Sequence, residues 1–190
     1  MISVVMSVIL LPLPFLLWKS RNIVYIVGFA ILIIGKVIEA MLNFIPSLTL
    51  MYISDPVMMA GSILLFIKLN HTGKARYGAL FCGIALIATV VCGMCLIYGV
   101  SDWAYPTVSI VYYTCFWVLA LSYLEMGDYH FLSFVGAFFV ILSILICFSN
   151  DGALYAGIIT EEEYAAAPWH LSYVAQSIAG LFAFFGTKRR

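Results

Sequence analysis

Long apolar runs separated by short polar interruptions dominate the chain. A helical membrane crossing needs roughly 20 mostly apolar residues, and seven runs have this character. We therefore predict an all-α integral membrane protein, a bundle of about seven transmembrane helices in one domain over residues 1–190. The predicted spans lie near 1–18, 23–43, 46–67, 77–99, 105–124, 131–148 and 169–187.

The longest polar interruption lies between the sixth and seventh spans. Residues 149–168 contain an Asn150-Asp151-Gly152 segment, a run of three glutamates at 161–163 and Pro168. Such residues favour turns and irregular backbone. We predict an outer surface loop here, with room for a short interfacial helix.

Basic residues set the orientation of the spans. With the N-terminus outside and the C-terminus in the cytoplasm, eight of the nine basic residues fall in cytoplasmic segments, as the positive-inside rule requires. The exception is Lys36, which lies within the second span. The eight are Lys19, Arg21, Lys68, Lys74, Arg76, Lys188, Arg189 and Arg190.

Composition agrees with a chain solvated by lipid. Hydrophobic residues make up 65% of the sequence and charged residues 9%, which is too few polar groups to cover a water-soluble globule of this size. A separate soluble domain is not expected. The only cluster of basic residues is the C-terminal tail, so we expect no nucleic-acid partner. The first span lacks a basic segment before its apolar run, so it is not predicted to be a cleaved signal peptide.

Three ionisable residues lie inside predicted spans: Lys36, Glu39 and Asp55. A charge at this depth is costly, about 2.5–3.5 kcal/mol on insertion scales, and marks a functional candidate. Lys36 and Glu39 are three residues apart and share a helical face. Asp55 enters at a similar depth from the next span, before Pro56, which removes a backbone donor and disfavours helix at Asp55. We predict a polar centre in which Lys36 pairs with Glu39, Asp55 or both. A packing charge pair beside a simple proline kink is the alternative.

Further polar side chains concentrate in the outer halves of the spans. We assign Tyr52, Tyr112 and Gln176 to the predicted ligand-binding site with the three charged residues. The inner halves, such as 57–67 and 178–185, have almost no hydrogen-bonding side chains. This gradient predicts a polar cavity that opens outward above an apolar inner plug. Thr49, Ser109, Tyr113, Tyr173 and Ser177 are other polar residues at comparable depth.

Cysteine and histidine give weaker signals. Cys92 and Cys95 form a CxxC near the outer end of the fourth span, as in a membrane thiol oxidoreductase, but two cysteines at helical spacing also suit ordinary packing. His71 and Cys82 resemble a cysteine-peptidase pair without an orienting third residue. His130 and His170 fall on opposite sides of the membrane, so we predict no metal site. No sequence motif indicates a cofactor.

These features favour a small-solute or ion transporter, or a channel-like facilitator, in a bacterial-type plasma membrane. A membrane-embedded enzyme would use Glu39 or Asp55 as acid or base on a lipid or lipid-linked substrate from the outer leaflet. A seven-helix receptor or structural membrane subunit would bind without turnover. The expected partners are the lipid bilayer and a small molecule or ion, and a homo-oligomer is compatible with the sequence.

The predicted topology can be tested with reporter fusions. A fusion after Arg190 should report a cytoplasmic location, and a fusion within residues 149–168 should report an outer location, because one span separates them. Equal signals from the two fusions would contradict the odd number of spans.

Overall fold

The structure is a computed structural model of the 190-residue chain. Within its helices the side chains of several residues, including Tyr52, Asp55 and Tyr112, lie outside the part that it describes. The predicted fourth span, 77–99, also lies outside that part. The backbone is described for residues 2–10, 22–42, 44–45, 48–70, 104–155, 157–167 and 169–187.

All regular structure in these ranges is α-helical, and they contain no β-strand. Six helices are substantial and one, α6, is a single short turn. They are α1 (Ile2–Leu10), α2 (Ile23–Leu42), α3 (Leu48–Asn70), α4 (Ala104–Met126), α5 (Phe131–Tyr155), α6 (Glu161–Ala165) and α7 (Trp169–Gly186).

Helix α2 begins at the first residue of the predicted second span because Asn22 caps it. The Val24 N–H donates to Asn22 Oδ1 at 3.0 Å, which satisfies one of the backbone donors that a helix start leaves open. Its 20 residues span about 30 Å at 1.5 Å per residue. This matches the hydrocarbon thickness of a typical bilayer.

Helix α5 continues seven residues beyond the predicted end of the sixth span. The Asn150-Asp151-Gly152 segment is helical, and the helix stops only before Gly157, which has φ +66°. The Gly157 N–H donates to Leu154 O at 3.0 Å and the Ile158 N–H to Ala153 O at 2.9 Å. This pair of bonds is a Schellman motif, which needs a left-handed residue and therefore favours glycine.

The short helix α6 lies in the predicted outer loop and is closed by its own side chains. Thr160 Oγ1 accepts from the Glu163 N–H at 3.2 Å, while Glu163 Oε2 accepts from the Thr160 N–H at 2.8 Å. This capping box lowers the pKa of Glu163 because the Thr160 donors favour the carboxylate. The Trp169 indole N–H donates to Tyr164 O at 3.0 Å, so the loop is tied to the start of α7.

The six longer helices form a closed ring. Within the described residues, each packs mainly against two of the others, in the order α1, α2, α3, α4, α5, α7 and back to α1. Consecutive helices α2 and α3 make the most extensive contact, followed by α5 and α7. The ring is therefore closed by long-range contacts, and side chains from α2, α4 and α7 meet in its interior.

The described surface carries many large apolar side chains, and the mostly apolar core also holds small polar ones. Large apolar side chains face outward, with Phe131 73% exposed and Phe185 66% exposed. Small polar side chains lie inside, where several serine hydroxyls donate to a carbonyl of their own helix. The buried polar residues are Ser7, Lys36, Ser54, Ser62, Ser122, Ser133, Ser143, Ser172, Gln176, Ser177 and Thr187.

One helix in the described part is long and apolar enough to cross a membrane by length and composition. It is the segment Ile23–Met41 of α2. The described apolar stretches of α3, α4 and α5 are shorter and comprise Pro56–Leu69, Cys115–Met126 and Phe131–Cys147.

Glycines allow α2 and α3 to approach closely. A Cβ at Gly61 would lie 2.7 Å from the Gly28 carbonyl oxygen and 3.0 Å from the Leu32 backbone nitrogen. A Cβ at Gly28 would lie 2.9 Å from Leu65 Cδ2. Small residues at such crossings are typical of helices that pack through van der Waals contact in lipid.

We predict that Gly61→Val destabilises the bundle, because the new side chain must push α2 away from α3. Overpacking of this kind costs about 1–3 kcal/mol, which should lower the melting temperature in detergent by roughly 3–10 °C. The neighbouring Ala60 is exposed, so Ala60→Val is the matched control and should melt close to wild type. Equal melting temperatures for both variants would contradict the close packing.

Candidate functional site

The ion pair between Lys36 and Glu39 is the centre of the candidate site. Helix α2 places the two residues one turn apart, and Lys36 Nζ lies 2.6 Å from Glu39 Oε2. The Lys36 side chain is 4% exposed and that of Glu39 is 16% exposed. The pair is therefore withdrawn from solvent, where two opposite charges attract more strongly than they do in water.

Helices α4 and α7 each bring an aromatic ring to this ammonium. The centroid of the Phe116 ring lies 5.4 Å from Lys36 Nζ, and that of the Tyr173 ring lies 5.3 Å away. Both distances are within the range of cation–π interaction. The Tyr173 hydroxyl also donates to Glu39 Oε1 at 3.3 Å. We call Glu39, Phe116 and Tyr173 the Lys36 cage.

An apolar cavity adjoins the ammonium between α2, α3 and α4. Its volume of about 20 Å³ is enough for about one water molecule. The arrangement seen here therefore has no open space for a solute of several heavy atoms at this point. The lining consists of Phe29, Leu32, Ile33, Lys36, Met58, Cys115, Phe116 and Leu119.

Gln176 belongs to a neighbouring hydrogen-bonded group between α5 and α7. Its amide Nε2 donates to Ser172 Oγ at 3.2 Å, and the Cys147 thiol donates to the same oxygen at 3.2 Å. All three residues are buried. Since Gln176 lies one turn after Tyr173 on α7, this group anchors the stretch of helix that carries Tyr173.

The structure brings together part of the predicted site. Lys36 and Glu39 are in direct contact, and Gln176 is buried one helical turn from Tyr173. The side chains of Tyr52, Asp55 and Tyr112 lie outside the described residues. So do Cys92, Cys95, His71 and Cys82, the residues of the redox and peptidase alternatives. In the ranges that are described, no group of three metal-ligating side chains is found, and Cys115 and Cys147 are thiols rather than disulfides.

Two members of the Lys36 cage were not among the predicted site residues. Tyr173 appeared only as one of several polar side chains at similar depth, although its spacing from Gln176 places the two near each other on α7. Phe116 gave no signal, because it is one of 14 phenylalanines in the chain. Its role depends on α4 packing beside α2 and α3, which local sequence does not specify.

A second polar cluster lies at the opposite end of α5 from α6. The turn between α4 and α5 holds Asp128 at φ 50° and Tyr129 at φ 57°, a conformation that is strained for a tyrosine. Tyr129 packs against Phe134 with ring centroids 6.0 Å apart. Partial burial and the nearby Glu125 carboxylate raise the pKa of Tyr129, whose hydroxyl is hydrogen-bonded to Glu125. The hydrogen bond between Tyr129 and Glu125 therefore ties the turn to the end of α4.

No family model, curated protein or solved structure shows significant similarity to this chain.

We predict that Lys36→Met strongly destabilises the protein, because it leaves the Glu39 carboxylate buried without its counter-ion. Breaking a buried ion pair in this way costs about 3–5 kcal/mol. The double change Lys36→Met with Glu39→Gln should recover most of the loss, since neither residue is then charged. Thermal melting in detergent of the four proteins of this double-mutant cycle measures the coupling.

Lys68 supplies the control for this experiment. It lies in the last turn of α3 and is only partly buried, so Lys68→Met removes a lysine that is not enclosed in the bundle. That variant should melt within a few degrees of wild type. If the Lys36→Met protein and the double variant lose the same stability, the charges of Lys36 and Glu39 do not stabilise each other.

Proposed function

We propose that this chain is a multi-pass protein of a bacterial-type plasma membrane, with about seven spans and its C-terminus in the cytoplasm. The many exposed large apolar side chains support this proposal, because phenylalanines, leucines and isoleucines at a surface are favourable in lipid and unfavourable in water. The length of α2 and the apolar run at 77–99 support it further. The described regular structure is α-helical, so its backbone polar groups are satisfied within each helix, as the bilayer interior requires.

We further propose that the protein is a carrier for a small solute or ion, with the Lys36 cage as its central site. The observation that carries this proposal is the buried Lys36–Glu39 pair inside the ring. A charge pair in a bundle is not needed for stability, because well-packed apolar residues of similar volume are often as stabilising. Ionisable groups that face the interior of a membrane bundle are characteristic of solute and ion pathways.

The arrangement of polar groups on α7 supports access of a solute to the Lys36 cage from one end of the bundle. Ser172, Tyr173, Gln176 and Ser177 occupy the first half of the helix, which leads from the α6 loop towards the cage. Beyond the cage, the apolar cavity and the side chains of Phe29, Leu32 and Met58 separate the pair from the other end. We interpret this as one closed state of a carrier, in which the apolar side must open for release.

Ser62 places a hydroxyl in the apolar region beyond the cage. Its hydroxyl is buried in α3, and it has no hydrogen-bond partner within the described residues. A buried hydroxyl without a partner costs about 1–3 kcal/mol. A second conformation in which water reaches this region would hydrate the hydroxyl, so its position fits a pathway that opens towards the inner side.

Thiol labelling tests for two accessible states. In a variant whose other four cysteines are replaced by Ala, Cys147 should react with a membrane-impermeant maleimide added outside. In a variant without native cysteines, Ser62→Cys should react with the same reagent added inside. A carrier exposes the two positions in turn, so both reactions should be seen in the same preparation.

Ala60 is the control position for labelling. It is exposed on the surface of α3 that faces away from the bundle. Lipid covers this surface in the proposed arrangement, so Ala60→Cys should react from neither side. If Cys147 reacts from outside and Ser62→Cys never reacts from inside, the carrier proposal fails. A membrane-embedded enzyme or a receptor then becomes the better interpretation.

A further inference from the structure

The chemistry of the Lys36 cage is that of a site for positive charge. Glu39 contributes a carboxylate 2.6 Å from the ammonium. Phe116 and Tyr173 lie with their ring centroids 5.4 Å and 5.3 Å from it, and the faces of aromatic rings carry negative potential. Three side chains from three helices thus present complementary charge to one cation.

An anion is poorly matched to the same place. It would have to displace Glu39 from Lys36 and then lie against the negative faces of Phe116 and Tyr173. The second lysine of the described residues, Lys68, lies in the last turn of α3. This position is distant along the helix from Met58, which lines the cavity. The surroundings of Lys36 therefore discriminate by the sign of the charge, and they favour cations.

We propose that the cage binds an organic ammonium ion and that Lys36 is its built-in occupant. The Lys36 side chain is chemically an n-butylammonium group, and its tip already makes the contacts that a free alkylammonium would make. An incoming ammonium competes with Lys36 for the Glu39 carboxylate, because two cations sharing one carboxylate at low dielectric repel each other strongly. This inference names the substrate class of the proposed carrier and rests on that function only for the transport step.

The adjoining cavity supplies a place for the alkyl part of the ligand. Leu32, Met58 and Leu119 line it together with Phe29. Its volume of about 20 Å³ does not accommodate an alkyl chain while the lysine stem is in place. Displacement of the stem adds the room of four methylene groups beside the cavity, so ligands of about this length fit best.

Binding of alkylammonium ions to the purified, detergent-solubilised protein tests the proposal. The probes are the chlorides of methyl-, propyl-, butyl- and hexylammonium and of tetramethylammonium, with sodium butyrate as the anionic control at the same ionic strength. Lys36→Ala should bind butylammonium at least tenfold more tightly than wild type, measured as the ligand-dependent rise in melting temperature. The propyl and butyl compounds should stabilise this variant most, because they restore the missing side chain.

Three substitutions, one of them a control, test the site without removing the lysine. Phe116→Leu, made in the protein that keeps Lys36, should bind ammonium ions at least threefold more weakly than wild type, because it removes one ring face and keeps the ion pair. Phe138→Leu, at a residue that is 59% exposed, should leave binding unchanged. Tyr173→Phe keeps the ring and loses the hydroxyl, so it should weaken binding less than Phe116→Leu does.

The outcomes separate this inference from the carrier proposal. Absence of ammonium binding to wild type and to folded Lys36→Ala overturns the inference, as does tighter binding of butyrate than of butylammonium. If Lys36→Ala does not fold, equal ammonium binding by wild type and Phe116→Leu overturns it instead. Thiol labelling of Cys147 and of Ser62→Cys needs no ligand, so the carrier proposal stands or falls on that separate result.

Discussion

The ammonium of Lys36 must be neutralised in a bundle interior that offers it very little water. Lys36 is 3% exposed, and an isolated charge at such a position would be far too costly to retain. Glu39 supplies the opposite charge from the same helix, and Tyr173 fixes the carboxylate from α7. Because these contacts span the interior, the position of α7 relative to α2 is tied to the electrostatics of one side chain.

Close helix packing makes that electrostatic arrangement possible. Gly28 and Gly61 bring α2 and α3 together, and Gly136 lies where a Cβ would be 3.1 Å from the Ala179 carbonyl oxygen between α5 and α7. Helices that approach this closely leave little interior space. Among the described residues, the buried polar side chains are consequently small, apart from Lys36 and Gln176. Several of the serines donate to a carbonyl of their own helix.

The two ends of the bundle differ in how their connections are held. At the α6 end, the loop is closed by a capping box and by the hydrogen bond from the Trp169 indole to the Tyr164 carbonyl. At the other end, Asp128 and Tyr129 adopt left-handed conformations between α4 and α5. Gly127 is held tightly there, since a Cβ would lie 2.3 Å from Ser133 Cβ. The short turn thus fixes the spacing of two helices at the cost of local strain.

The sequence by itself determined the features that depend on spacing along one helix. The apolar runs located α2 and α7 closely, and the separation of three residues placed Lys36 beside Glu39, because residues three apart share a helical face. The end of α5 was not determined in this way. Asn150-Asp151-Gly152 favours a turn locally, but the helix continues until Gly157 can adopt a positive φ and satisfy the last carbonyls.

Only the tertiary structure decided which side chains surround the ammonium. Phe116 and Tyr173 come from helices that are distant from Lys36 in sequence, and nothing local distinguishes Phe116 from the other phenylalanines. The reason is physical: apolar and aromatic side chains gain similar free energy from any close-packed apolar neighbour or from lipid. The packing of the described helices therefore decides which aromatic rings lie beside the Lys36 ammonium.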